Sequence, residues 1–133
     1  KMVKRTDPTE AVIHKSVAEL LTTALKPVVV WTTVEVSNQR GGEAARWQQV
    51  KNKMRGVKTG WPDIQMFWPY QNYTKGLCIE LKRKGGKPTD IQLTCHDELA
   101  TANIPTIICR SVDEVKAALD VYDVPTIINK EFA

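Results

Sequence analysis

The chain of 133 residues has no apolar run approaching the roughly 20 residues that a membrane-spanning helix needs. The longest candidates, such as Val28 to Trp31, are only strand-sized. Cysteine is scarce. Cys78, Cys95 and Cys109 are odd in number, far apart and free of any C-x-x-C pair. That argues against both a disulfide framework and a zinc site. The three read as buried, reduced thiols of a cytosolic protein. There is no internal repeat and no low-complexity stretch. Lys1 to Arg5 carries charge, but no apolar segment follows, so no signal peptide is visible and a cytoplasmic location is expected. Met2 reads as the natural start.

What is present is globular. Hydrophobic residues make up 42% and charged residues 26%, which excludes disorder, collagen and coiled coil for the chain as a whole. The length suits one domain over 1–133, with a core at about 8–120 and a C-terminal extension at 121–133. The net charge of +4 is unevenly spread. Arg40, Arg46, Lys51, Lys53, Arg55 and Lys58 face only Glu43 in their stretch, and Arg83, Lys84 and Lys87 follow Lys82. The tail is acidic, with Asp113, Glu114, Asp120 and Asp123. Focused positive charge suits a polyanion such as nucleic acid. Solvated surface lysines are the plainer alternative for either cluster alone.

Asp7-Pro8-Thr9-Glu10 predicts a helix start, with Asp7 as cap and Glu10 as the capping-box acid. Val12, Ile13, Val17, Leu20, Leu21 and Leu25 follow at helical spacing until Pro27. Val28 to Val36 reads as a strand, Ser37 to Gly42 as a loop, and Glu43 to Met54 as a surface-lying basic helix. Gly56 and Gly60 bracket a loop that ends at Pro62. Asp63 to Trp68 and Gly76 to Lys82 form two strands around a loop at Pro69 to Lys75, and Gly85-Gly86 breaks the second. Thr89 caps a helix to Ala102, with Gln92 in the capping-box position. Thr106 to Cys109 is a short strand, and Ser111 opens a helix to about Leu119 with Glu114 as its capping-box partner. Pro125 interrupts the last stretch, where Thr126 to Ile128 suits a strand and Val121, Tyr122, Val124, Ile127 and Ile128 form a candidate interface. Helices interleaved with strands imply an α/β fold with a small mixed sheet, and the hairpin at 63–82 must be antiparallel.

Strand alternation sets Leu77, Ile79 and Leu81 on one face and Cys78, Glu80 and Lys82 on the other. Asp63 opens the first hairpin strand, while Glu80 and Lys82 close the second, so all three lie at one end of the sheet. Two carboxylates at close range repel unless a cation sits between them, and their hard oxygens suit Mg²⁺ or Mn²⁺. Such an ion polarises phosphoryl oxygens and acidifies bound water, and a neighbouring lysine can stabilise the charge that develops. The chemistry implied is metal-assisted phosphodiester hydrolysis. E-x-K or PD alone is a weak signal. The ordered set of PD, E-x-K, a basic turn and a T-x-x-Q helix start is stronger.

The runs GVKTGWPDIQMFW, GLCIELKRKGGKPTDIQ and TEAVIHKSVAELL resemble the VRR-NUC branch of the PD-(D/E)XK nuclease superfamily, from about Thr9 to about Leu119. The resemblance implies a central mixed β-sheet flanked by helices and DNA cleavage dependent on Mg²⁺ or Mn²⁺. It makes Asp63 and Glu80 metal-binding acids, Lys82 the catalytic lysine and Gln92 a residue that organises the site or contacts DNA. Glu10 would approach the metal, with Glu19 the less favoured first-helix acid, and the Leu81 carbonyl would add a ligand. Compact stand-alone phage members and archaeal Holliday-junction resolvases, small and dimeric, extend the likeness to branched DNA, a homodimer and a bacterial or phage-infected host cell.

Arg46, Lys51, Lys53, Arg55, Lys58, Lys84 and Lys87 are the candidate phosphate contacts, with a solvated loop position the rival reading for Arg55 and Lys58. Gln92 and Glu10 also have plain capping roles open to them. His14 and His96 read as surface or helix-flank residues, although His96 falls one turn after Gln92. Trp61 and Trp68 read first as packing residues, and Trp47 is unassigned. The rival functional classes are a non-catalytic DNA-binding module on the same fold and a nuclease of restriction or general repair.

Overall fold

The computed structural model describes residues 6–34 and 43–127. Expectations for Lys1 to Arg5, for the strand end at Glu35-Val36, for the loop at Ser37 to Gly42 with Arg40, and for Ile128 lie outside these residues. So do those for the side chains of Glu43 and Ala45. The elements run α1 (Glu10–Ala24), β1 (Val30–Thr33), α2 (Glu43–Met54), β2 (Ile64–Tyr70), β3 (Tyr73–Leu81), α3 (Asp90–Thr101), β4 (Thr106–Cys109) and α4 (Val112–Val121).

The strands form one sheet in the order β1-β2-β3-β4. β1 and β3 flank β2 antiparallel, and β4 joins β3 in parallel across α3, so the sheet is mixed. Alternation along β3 divides it between two cores. Leu77, Ile79 and Leu81 join Ile64, Met66 and Trp68 beneath Ile13, Val17 and Leu21 of α1 and Val115 and Leu119 of α4. On the other face Cys78 meets Cys95 and Leu99 of α3, with Trp61 and Ile104 at the margin. All three cysteines are buried and unpaired by disulfides.

Several boundaries differ from the sequence reading. Thr9, not Asp7, caps α1, its side chain accepting from the Val12 N–H. That leaves Glu10 as the first helical residue and no capping-box acid. The hairpin is tighter than expected: β2 runs through Pro69 to Tyr70, which pairs with Tyr73. Pro69 is tolerated because β1 accompanies β2 only as far as Phe67, so no ladder bond is lost there. Gln71 takes the left-handed conformation that so short a turn demands, with φ of 56°. At α4, Ser111 caps as expected, but the Glu114 carboxylate accepts from Arg110 N–H rather than closing a capping box.

After α4 the chain folds back. Val124 is buried in the apolar core, Thr126 bridges Leu25 antiparallel, and Lys26 N–H donates to the Pro125 carbonyl. The expected interface is thereby divided, since Val124 faces inward while Val121 and Ile127 remain exposed.

Candidate active site

The end of the hairpin gathers the polar residues. Asp63 continues the ladder of β1 and β2, its carbonyl accepting from Val34 N–H at 2.7 Å. Its side chain turns across to β3, where Oδ2 accepts from Leu81 N–H at 2.7 Å. This charge-assisted bond fixes the carboxylate beside the last residues of β3. The loop that delivers Asp63 depends on Gly60, which has φ of +86° and runs so close to α3 that a Cβ would lie 2.7 Å from the Ile91 carbonyl oxygen.

Glu80 is 1% exposed, an unusual burial for a carboxyl group. Its neighbours come from three elements. The Asp63 carboxyl is near enough to repel it. Lys82 Nζ lies 3.8 Å from Oε2. From α3, Gln92 Nε2 donates to Oε2 at 3.1 Å, and His96 Nε2 lies 3.4 Å from Oε1. Burial first, then repulsion from Asp63, pushes the Glu80 carboxyl up to about 8, against the opposing pull of Lys82. Burial also holds the His96 imidazole below its ordinary range.

Gln92 makes two sets of contacts. Its Oε1 accepts from Thr89 N–H at 2.9 Å while Thr89 Oγ1 accepts from Gln92 N–H, completing a capping box. The same amide's nitrogen is thereby aimed at Glu80. The helix cap and the site share one side chain.

A cavity of about 620 Å³ opens over this cluster, bordered by Glu10, His14 and Lys15 of α1, by Gly60, Trp61 and Asp63, and by Glu80, Leu81, Lys82 and Gln92. Every residue that the sequence nominated for catalysis or metal holding therefore borders one space. Glu10, released from capping, is close enough to add to the repulsion on Glu80.

The nominated basic residues are more dispersed. Arg46, Lys51 and Lys53 are exposed on α2, and Arg55 follows with a bond from its guanidinium to Asn52. Lys84 and Lys87 are exposed on the turn after β3, which Arg110 tethers by donating to the Gly86 carbonyl at 2.7 Å. Lys58 is not at the cavity. It pairs with Glu98 at 2.7 Å on the outer side of α3, and Glu98 holds its ammonium pKa above the ordinary value.

Four residues that the sequence did not nominate for the site border the cavity or the cluster. His96, expected at the surface, is 8% exposed and lies against Glu80. The signal was its spacing of four from Gln92, which places both on one helix face. His14 stands in the same relation to Glu10, and Lys15 is the next residue. Trp61 borders the cavity and donates through Nε1 to Gln65 at 3.0 Å, which orients its ring.

Among the described residues no three His, Cys, Asp or Glu side chains converge to hold a metal by themselves. The donors that could serve are the Asp63 and Glu80 carboxylates, with Glu10 nearby and Leu81 at the rim. Such a set fits Mg²⁺ or Mn²⁺, which keep waters and take only one or two carboxylates beside a substrate phosphate. The crowding of the Asp63, Glu80 and Glu10 carboxylates is the electrostatic arrangement a cation would relieve.

A mixed sheet with helices on both faces and an acid-acid-lysine cluster at the end of its central hairpin is a nuclease-type α/β fold. The VRR-NUC domain model matches residues 5–113, and the chain belongs to that family. A solved structure described as a VRR-NUC domain protein is similar at 19% identity, with a TM-score of 0.61 over 91% of this chain and 93% of that one. At that identity the likeness is one of fold. No curated protein matches the chain. Among the described residues no helix is long and apolar enough to cross a membrane.

Proposed function

We propose that the chain is a metal-dependent endonuclease that hydrolyses DNA phosphodiester bonds, with branched DNA such as four-way junctions as its preferred substrate. The observation that supports this best is the meeting of Asp63, Glu80 and Lys82 with Glu10 and Gln92 around one open cavity.

Mg²⁺ or Mn²⁺ bound between the carboxylates would supply Lewis-acid polarisation of the phosphate and a water of lowered pKa. Asp63 and Glu80 hold the negative charge that attracts it. Gln92 and His96 keep the Glu80 carboxyl from turning away, and the Leu81 N–H does the same for Asp63. Lys82 brings its ammonium to the side of Glu80, where it stabilises charge growing on the phosphoryl oxygens. Glu10 adds a further acid at the cavity rim. Arg46, Lys51, Lys53, Arg55, Lys84 and Lys87 attract the phosphate backbone without reading bases. Lys58, held by Glu98, contributes least of the seven. A two-fold homodimer would give paired cuts on a symmetric junction.

The test is cleavage of a labelled four-way junction and a matched linear duplex in Mg²⁺, Mn²⁺ or EDTA, alongside Lys82→Ala. Metal-dependent cutting that favours the junction and disappears in the variant is the expected result. Binding of both DNAs without cutting, in every metal, would move the chain to the non-catalytic binding class. Equal cutting of both would remove the preference for branched DNA.

A further inference from the structure

Helix α2 exposes an apolar stripe and contributes no residue to either core cluster. A surface helix ordinarily turns its apolar stripe inward and its polar side to water. In α2 the apolar residues Trp47, Val50 and Met54 recur at the spacing of one helix face and are 63%, 46% and 80% exposed. Among the helix residues whose burial is described, the half-buried ones are Gln48 and Asn52, on another face and joined by a hydrogen bond of 2.8 Å. Scattered exposed apolar residues are common on proteins, but a stripe turned outward while amides turn inward needs a partner. At 3.6 residues per turn, Arg46 and Lys53 lie along one side of the stripe and Lys51 and Arg55 along the other, all exposed.

That pattern specifies the occupant. It must offer apolar surface between two rows of negative charge. A second copy of α2 would set cations against cations on both flanks. A DNA duplex opened at a branch or kink offers unstacked base faces bordered by the phosphates of two strands. Apolar wedges flanked by cations are a known way of engaging such steps. We propose that α2 is the surface that recognises opened DNA, with Trp47, Val50 and Met54 against exposed bases and the flanking cations on the bordering phosphates. The inference rests on the reading of the chain as a DNA nuclease, and it adds the element that would distinguish a branch from plain duplex.

The experiment measures binding in EDTA, where cleavage plays no part. Fluorescence anisotropy compares a four-way junction with a linear duplex of the same sequence for the full chain and for the double variant Trp47→Ala/Met54→Ala. A 2-aminopurine at the branch reports unstacking. Both side chains are exposed, so thermal unfolding of the variant should match that of the parent. The expected result is at least about a tenfold loss of junction affinity, a smaller loss on linear duplex, and loss of the 2-aminopurine signal. Lys51→Gln/Lys53→Gln should instead weaken both DNAs alike and flatten the salt dependence. Unchanged junction binding by the apolar variant would overturn the proposal. So would a loss seen only in binding to vesicles of anionic phospholipid, or only in self-association. If the parent binds the junction through the stripe yet cuts nothing in any metal, the nuclease reading fails while α2 recognition stands.

Discussion

The two faces of the sheet differ in what they bury. Under α1 and α4 lies the larger apolar cluster, from Ile13 and Leu21 through Ile64, Met66 and Ile79 to Val115 and Leu119. Under α3 the apolar cluster is only Cys78, Cys95 and Leu99, and beside it sit Glu80 and His96, both nearly out of solvent. β3 serves both faces through the alternation of its side chains. Apolar burial holds the fold together on one side. The other side carries an ionisable group whose burial costs stability, and that cost is tolerated where Gln92, His96, Lys82 and Asp63 surround it.

The comparison can be broken most sharply at its polar end. Asp63→Asn or Glu80→Gln should lower metal-dependent cleavage by about a thousandfold or more, with the fold intact by circular dichroism. A variant that turns over normally would remove these residues from the chemistry. On the opposite face Ile79→Ala, one position along the same strand, should cost about 2–5 kcal/mol in denaturant unfolding. The folded fraction should keep its specific activity.

The faces should also respond differently to pH. Burial and the Asp63 carboxyl push the Glu80 carboxyl up to about 8 in the metal-free fold, against about 4.5 for a solvated one. The folded state then holds more protons than the unfolded state between those values, so stability is greatest below the lower one and falls as pH rises through the upper. Thermal unfolding of metal-free protein should show this decline, and Glu80→Gln should lose it. An identical decline in the variant would place its origin elsewhere.

Smaller effects sharpen the shared role of Gln92. Gln92→Ala removes both the cap and the bond to Glu80, for a loss of about 1 kcal/mol together with reduced cleavage. Gln92→Glu can keep the capping box but offers Glu80 no N–H. It adds a carboxylate beside Glu80, so activity should be lost even though the cap is kept. Smallest of all, Lys58→Gln should leave thermal unfolding unchanged, because the pair with Glu98 is exposed on both sides.

Much of this was legible in the residues. The bounds of α2 and β4, the antiparallel hairpin and the convergence of Asp63, Glu80 and Lys82 follow from periodicity, β-branching and strand alternation, which are local rules. What was not legible depended on contacts distant in sequence. Pro69 looked like a break because nothing in the chain says that β1 ends opposite Phe67. His96 looked like a surface residue because a histidine on a helix does not reveal which strand lies beneath it. Asp7 and Thr9 are both good caps, and two residues of register separated them. That α2 lies on the surface was legible, but which of its side chains stay exposed was not, since a hydrophobic stripe does not reveal whether anything covers it.

The cluster around Glu80 draws on four elements distant in sequence: Glu10 from the start of α1, Asp63 from the approach to β2, Lys82 from the end of β3, and Gln92 and His96 from α3. None of the four holds more than a fragment of it. A nascent chain emerging from the ribosome, or one partly unravelled by heat or proteolysis, carries scattered acids and a lysine but no assembled centre. Assembly of the centre is thus tied to completion of the fold: a molecule that has not finished folding lacks the arrangement on which its chemistry depends.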